Sequence, residues 1–239
     1  MLIHYSKIIF TAIIISLLVG CVGVLKDIKL DADFWQRKPS KIAIVVTPYP
    51  ITGNTFSITS HGLSGYSYII SKTMDAELIR VVREYDYSEF YTIKKLFADE
   101  LAKRGFQVIE QNRNVFQLSA ANLNDLEKNN SNLAHVKAFK KQLNADYLIL
   151  FHVDKCGYVE DNNLSPFRER DGFFSVDGFL LNLNTGSVDW KHIILDFHGV
   201  PVSGEWNQSP DYPNIRKAIH EAIATSKNKL YNSFFNMQP

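Results

Sequence analysis

The chain has 239 residues and carries 26 Lys+Arg against 25 Asp+Glu, a formal net charge of +1. A balance this even provides no electrostatic attraction to nucleic acid or to an acidic polymer. Hydrophobic residues make up 46% and aromatics 13%, with 16 Phe and 11 Tyr, enough apolar material for one large domain or two small ones.

At the N-terminus, His4 and Lys7 give a weakly basic start, followed by an apolar run from Ile8 to Val19 broken only by Thr11 and Ser16. That run suits the core of an export signal and falls short of the roughly 20 residues of a permanent membrane helix. Leu18-Val19-Gly20-Cys21 then resembles the bacterial lipobox, in which a small residue precedes the modified cysteine. The resemblance implies a diacylglyceryl group on the Cys21 thiol, cleavage before Cys21, acylation of the new amine, and membrane attachment through that lipid. Val22 follows the cysteine in place of an aspartate, which by the Gram-negative sorting rule favours the outer membrane. Residues 1–20 are thus expected to be a signal peptide, 21–40 a lipidated tether, and 41–239 a periplasmic α/β domain. With Cys21 lipidated, Cys156 has no partner within the chain, so no intramolecular disulfide is expected. It lies in a strand-like run and reads as a small buried hydrophobe.

Beyond the tether, Lys41 to Thr47 is a continuous apolar run stopped by Pro48, as in a strand buried on both faces. Residues 48–70, rich in Gly, Ser, Thr and Tyr, read as a long loop or an irregular hairpin. From Ser88 the spacing of Phe90, Ile93, Leu96, Phe97, Leu101 and Ala102 predicts a helix ending at Gly105. Phe106 to Ile109 is a short strand; Leu133, Val136, Phe139, Lys140 and Leu143 mark a second helix; Tyr147 to Val153 is another buried strand. Residues 157–172 read as a polar loop. Phe173 to Leu183 and Val188 to Phe197 are strands joined by Asn184-Thr185-Gly186-Ser187, a hairpin signal. Pro210 to Pro213 open a closing helix with a stripe of Ile215, Ala218, Ile219, Ala222, Ile223 and Leu230. The order β-α-β-α-β-β-β-α predicts one α/β domain of two or three layers, with helices against a mixed sheet.

Four features together resemble a superfamily of envelope lipoproteins. They are an early strand, a helix ending in Arg104-Gly105-Phe106-Gln107-Val108, the run Ala145-Asp146-Tyr147-Leu148, and Leu183-Asn184-Thr185-Gly186-Ser187-Val188-Asp189-Trp190. That superfamily includes the curli-secretion channel lipoprotein, the lipoprotein activators of penicillin-binding proteins, an exopolysaccharide-export lipoprotein and the N-terminal domain of TolB. The similarity spans residues 41–235. It implies a non-enzymatic protein without a cofactor that binds an envelope protein partner or forms a homo-oligomer. The chain has no clear pair of long alternating hairpins of the kind that builds a membrane barrel, although residues 49–82 have room for one.

No Gly-x-Ser-x-Gly elbow, Walker loop, His-Glu-x-x-His or Cys-x-x-Cys occurs. Two groups of residues remain as candidate sites. Tyr49, Phe56, Tyr66 and Tyr68 fall in the Gly/Ser-rich segment, where aromatics suit partner binding. His152 and Asp154 share a strand face by the period of two, as do His192, Asp196 and His198 on a later strand, with Asp177 on the strand between. Imidazoles and carboxylates on neighbouring strands could ligate a metal or act as a general base. The first reading is therefore a non-catalytic outer-membrane lipoprotein that binds a partner or self-assembles. The second is a periplasmic hydrolase or metal-binding protein using His152, Asp154, His192 and His198.

Overall fold

The computed structural model describes residues 27–36, 41–48, 50–60, 66–71, 74–110, 133–161, 170–194 and 199–236. In chain order the described elements begin with β1 (Lys41–Thr47), β2 (Asn54–Ser60), β3 (Tyr66–Ile70), α1 (Ala76–Arg83), α2 (Thr92–Lys103), β4 (Gln107–Glu110) and α3 (Leu133–Leu143). They continue with β5 (Tyr147–Asp161), β6 (Arg170–Asn182), β7 (Val188–Ile193), β8 (Val200–Pro201) and α4 (Pro213–Phe235). Short 3-10 turns occupy Ala32–Gln36 and Tyr87–Tyr91.

Strand β5 organises the sheet. Its first half, from Tyr147 to His152, pairs in parallel with β1, and its second half, from Gly157 to Asp161, pairs in parallel with β2. Along its other side it pairs antiparallel with β6 over nearly its whole length. β1 and β2 therefore behave as one interrupted strand, split where Pro48 ends the first apolar run. A β-bulge between Val153 and Lys155 bends β5 at the same level. Gly157 makes the second pairing possible: its φ is +129°, and a Cβ there would stand 2.1 Å from the Asn54 carbonyl oxygen. β4 extends the sheet beyond β1, β3 beyond β2, and β7 and β8 beyond β6.

The alternation of each strand sends one set of residues to each face. Ile42, Ile44, Val46, Ile149, Phe151 and Val176 meet the apolar stripes of α1, α2 and α4. Ala43, Val45, Leu148, Leu150, Phe179 and Leu181 turn the other way and pack on Val136 and Leu143 of α3. The mixed sheet with helices on both faces is the α/β architecture expected from the element order. α4 lies directly on β6 because Gly172 has no side chain: a Cβ there would meet the Ala218 backbone carbon at 2.2 Å.

Several expectations change in detail. Of the loop or irregular hairpin expected over 48–70, the described residues form the antiparallel pair β2–β3, and that pair is part of the sheet: Phe56 and Ile58 bury with Val159 and Phe173. Helix α1 went unread in the sequence, although Asp75 caps it by accepting from the Glu77 N–H and Leu78, Val81 and Val82 are buried. In α2 the buried positions are Ile93, Lys94, Phe97, Ala98 and Leu101, while Leu96 and Ala102 are exposed. Both ends of the polar loop expected over 157–172 are strand, since β5 runs to Asp161 and β6 starts at Arg170, while 162–169 lie outside the described residues. Arg170 and Glu160 pair there at 2.9 Å, and the Arg170 guanidinium lies 4.1 Å from the Trp206 ring centroid.

The largest change concerns the expected tether. Leu30 and Phe34 belong to the main core, Phe34 with only 1% exposure. The Phe34 ring sits 5.2 Å from Phe106, 5.4 Å from Tyr147 and 6.3 Å from Phe234, and Arg104 stacks 4.5 Å from Trp35 beside it. The alternation of Ile28, Leu30, Ala32 and Phe34 with Lys29, Asp31 and Asp33 was the signal of order that a reading of the segment as a charged tether passed over. Phe34→Ala should therefore lower stability by about 3–5 kcal/mol, the cost of emptying a buried aromatic site. In urea, a fragment starting at Lys41 should unfold well before one starting at Asp27. Equal midpoints would place Phe34 outside the cooperative unit.

Candidate functional site

Strand β3 lies on the outer side of β2, at an edge of the sheet. Its register sets Ile70 opposite Phe56, Ile69 opposite Ser57 and Tyr68 opposite Ile58. Consecutive strand residues point to opposite faces, and here both are bare: Ile69 is 52% exposed and Ile70 49%. No residue of Tyr66–Ile70 carries a charge. Beneath the hairpin, a cavity of about 320 Å³ is lined by Ile51, Phe56, Ile70, Val153 and Cys156 together with Asp154 and Lys155.

The aromatic residues expected to bind a partner divide by location. Phe56 is 4% exposed and stacks edge-on against Phe173 at 6.3 Å, so it supports the hairpin from below and presents no surface. Tyr66 and Tyr68 lie on β3. Tyr49 and the lipidation candidate Cys21 lie outside the described residues. Sequence reading passed over Ile69 and Ile70, whose signal was an uncharged Tyr-Ser-Tyr-Ile-Ile run bounded by polar residues. Cys156 is buried, its Sγ donates to the Thr52 carbonyl at 3.5 Å, and burial pushes its thiol up to about 12. A thiol so hard to ionise is a poor nucleophile.

The second constellation is dispersed by the register. His152 stands opposite Asp177, and Asp177 stands opposite Ile193. His192 instead faces Gly178, one residue along, and so projects from the opposite face to His152 and Asp177. There its Nδ1 lies 2.7 Å from Asp27 Oδ2. The bulge breaks the period of two that would have aligned Asp154 with His152, and Asp154 pairs with its neighbour Lys155. Asp196 and His198 lie outside the described residues. Among the described residues, no group of three or more His, Cys, Asp and Glu side chains stands close enough to hold a metal ion.

What remains on that face is a half-buried pair with opposed proton affinities. Burial pushes the Asp177 carboxyl up to about 6, with the nearby Asp154 charge adding to the shift and Lys191 and Lys155 opposing it. Burial lowers His152 below the ordinary histidine range, against the pull of Asp154. A carboxyl that holds its proton more tightly in the fold contributes stability below its unfolded pKa near 3.8 and loses it as pH rises through about 6. A histidine held neutral does the reverse and loses stability in acid. Asp177→Asn should thus be more stable than the parent at pH 7, by about 2 kcal/mol, with little difference at pH 4. Urea unfolding at the two pH values measures this. An equal effect at both would mean that Asp177 titrates normally in the fold.

No protein-family model matches this chain, and neither does any curated protein. Among solved structures it is similar to the DUF330 protein XCC0632 from Xanthomonas campestris, at 8% identity and a TM-score of 0.37 over 86% of this chain and 90% of that one. It is similar to lipoprotein GNA1162 from Neisseria meningitidis, at 10% identity and a TM-score of 0.30 over 81% of this chain and 99% of the other. A PelC dodecamer from Paraburkholderia phytofirmans follows, at 11% identity and a TM-score of 0.24 over 83% and 93% of the two chains. Likenesses this distant bear on neither the activity nor the assembly of this chain.

Proposed function

We propose that this chain is a non-catalytic outer-membrane lipoprotein, anchored by lipid on Cys21, whose α/β domain binds an envelope protein partner or a second copy of itself through strand β3. The observation that carries this reading is an edge strand that is uncharged and leaves Ile69 and Ile70 half exposed. Edge strands offer free N–H and C=O groups to any passing strand, and soluble proteins usually blunt them with charges or proline. An edge left unguarded and apolar suits strand addition, where main-chain hydrogen bonds supply affinity and alternate side chains supply specificity. Tyr66 and Tyr68 belong to the same strand, and tyrosine is a residue type favoured at such contacts. Phe56 and Ile58 fasten the hairpin to the body, so the docking edge is held in place before a partner arrives.

The surface role and the structural role of the hairpin separate by mutation. Ile69→Lys with Ile70→Glu should leave the fold intact, since both side chains are half in water, and should abolish the complex. The measurement pairs thermal unfolding of purified protein with sedimentation and with in-cell crosslinking from a photoreactive residue at position 68. A folded double variant that still self-associates or crosslinks as the parent does would move the binding surface off β3. Phe56→Ala should instead cost about 3–5 kcal/mol of stability. Cys21→Ser should give an unprocessed precursor that takes up no labelled fatty acid; processing and acylation equal to the parent's would end the lipoprotein reading.

A further inference from the structure

The N-terminal segment does more than fill the core with Phe34. Ile28 forms a β-bridge to the free edge of β7: its N–H donates to the Lys191 carbonyl at 2.9 Å, and the Lys191 N–H donates back to the Ile28 carbonyl at 3.0 Å. One residue earlier, Asp27 Oδ1 accepts from the Ile193 N–H at 3.1 Å, and Oδ2 lies 2.7 Å from His192 Nδ1. Four contacts thus fasten the chain to one strand at the point where it reaches the domain.

Only residues 22–26 separate this fastening from Cys21. Even fully extended, the step from Cys21 to Asp27 spans about 20 Å. Without Asp27 and Ile28 on β7 the first docked residue would be Leu30, and the free tether would lengthen to about 30 Å and let the domain turn on it. We propose that Asp27 and Ile28 form a strap that holds the β7 side of the domain toward the lipid surface carrying Cys21, with the β3 edge turned away on the far side. The inference rests on lipid attachment at Cys21. Across the sheet the order is β7, β6, β5, β2, β3, so the two edges are separated by four strand spacings, about 19 Å, and also along the strands, since Lys191 is in register with Leu150 of β5 and Ile69 with Glu160. The strap thereby gives the two sheet edges different tasks: one is covered by the chain's own anchor segment, and the other stays open to a protein partner.

The test uses the full-length acylated protein in phosphatidylethanolamine/phosphatidylglycerol vesicles that contain an acceptor-labelled lipid. A donor is placed in turn at Thr185→Cys in the turn between β6 and β7, at Arg83→Cys on α1, and at Ile69→Cys on β3. The buried Cys156 thiol stays unlabelled. The apparent distance to the membrane should be about 15–20 Å shorter at Thr185 than at Ile69, with Arg83 near Ile69. Asp27→Ala with Ile28→Pro removes the carboxylate and one bridging N–H. Leu30 and Phe34 remain in place to keep the fold, which circular dichroism checks. In that variant the difference between sites should shrink toward zero. Equal distances in the acylated parent, or a difference that survives release of the strap, overturn the proposal. Labelled fatty acid on the same preparations reads the anchor separately: absence of acylation at Cys21 overturns the lipoprotein reading, and the strap falls with it.

Discussion

The pairing of β5 along both of its sides is the constraint from which the rest of the architecture follows. A strand of 15 residues is too long for β1 alone to cover, so the chain must supply a second parallel partner in line with the first. That partner is β2, delivered after the break at Pro48. With β2 in place, β3 pairs along its outer side and forms a sheet edge. β6 answers along the opposite side and carries β7, β8 and the seat for α4. The bulge at Val153–Lys155 lets β5 bend between its two partners. A long central strand thus determines where the sheet closes and where it stays open.

The hairpin joins a packed inner strand to an exposed outer one. Its inner strand contributes Phe56 and Ile58 to a buried cluster with Val159 and Phe173. Its outer strand contributes exposed isoleucines. A flexible insertion would pay an entropic cost on binding, whereas a strand already registered to β5 has met that cost during folding. The N-terminal segment has the same dual character. Phe34 is wedged among Phe106, Tyr147 and Phe234, and the residues just before it cover the edge of β7.

The half-buried polar strip formed by His152 and Asp177 belongs to the cost side of this design. The sheet face is roofed by α3 over Leu148, Leu150, Phe179 and Leu181. Beyond that roof the same strands carry His152 and Asp177, and burial moves the proton affinity of each toward its neutral form. The His152 Nδ1 has no hydrogen-bond partner, an omission that a neutral imidazole bears more easily than a charged one.

Much of this was legible in the sequence, and the reason is periodicity. Lys41–Thr47 and Tyr147–Val153 read as strands buried on both faces because Ile42–Val46 and Leu148–Phe151 are unbroken apolar runs, and the stripes of α2, α3 and α4 announce their helices at spacings of three and four. The Asn184 to Ser187 turn was evident from its residue types, and the structure adds the Asn182 side chain accepting from the Asn184 N–H. The expectation of an export signal and a lipobox rests on local sequence chemistry alone, in residues that lie outside the described ones. What the sequence could not decide is everything that depends on which strand lies beside which. Register put His192 on the opposite face from His152, and a one-residue bulge undid the alignment of Asp154. Pairing with β5 decided between loop and hairpin for the Gly/Ser-rich segment, buried Phe56 and left Ile69 and Ile70 exposed. A docked 3-10 turn made Phe34 a core residue within what reads as a tether. Local patterns record which residues prefer to be buried, but neighbouring strands and their offset determine which of them are, and that information resides only in the folded chain.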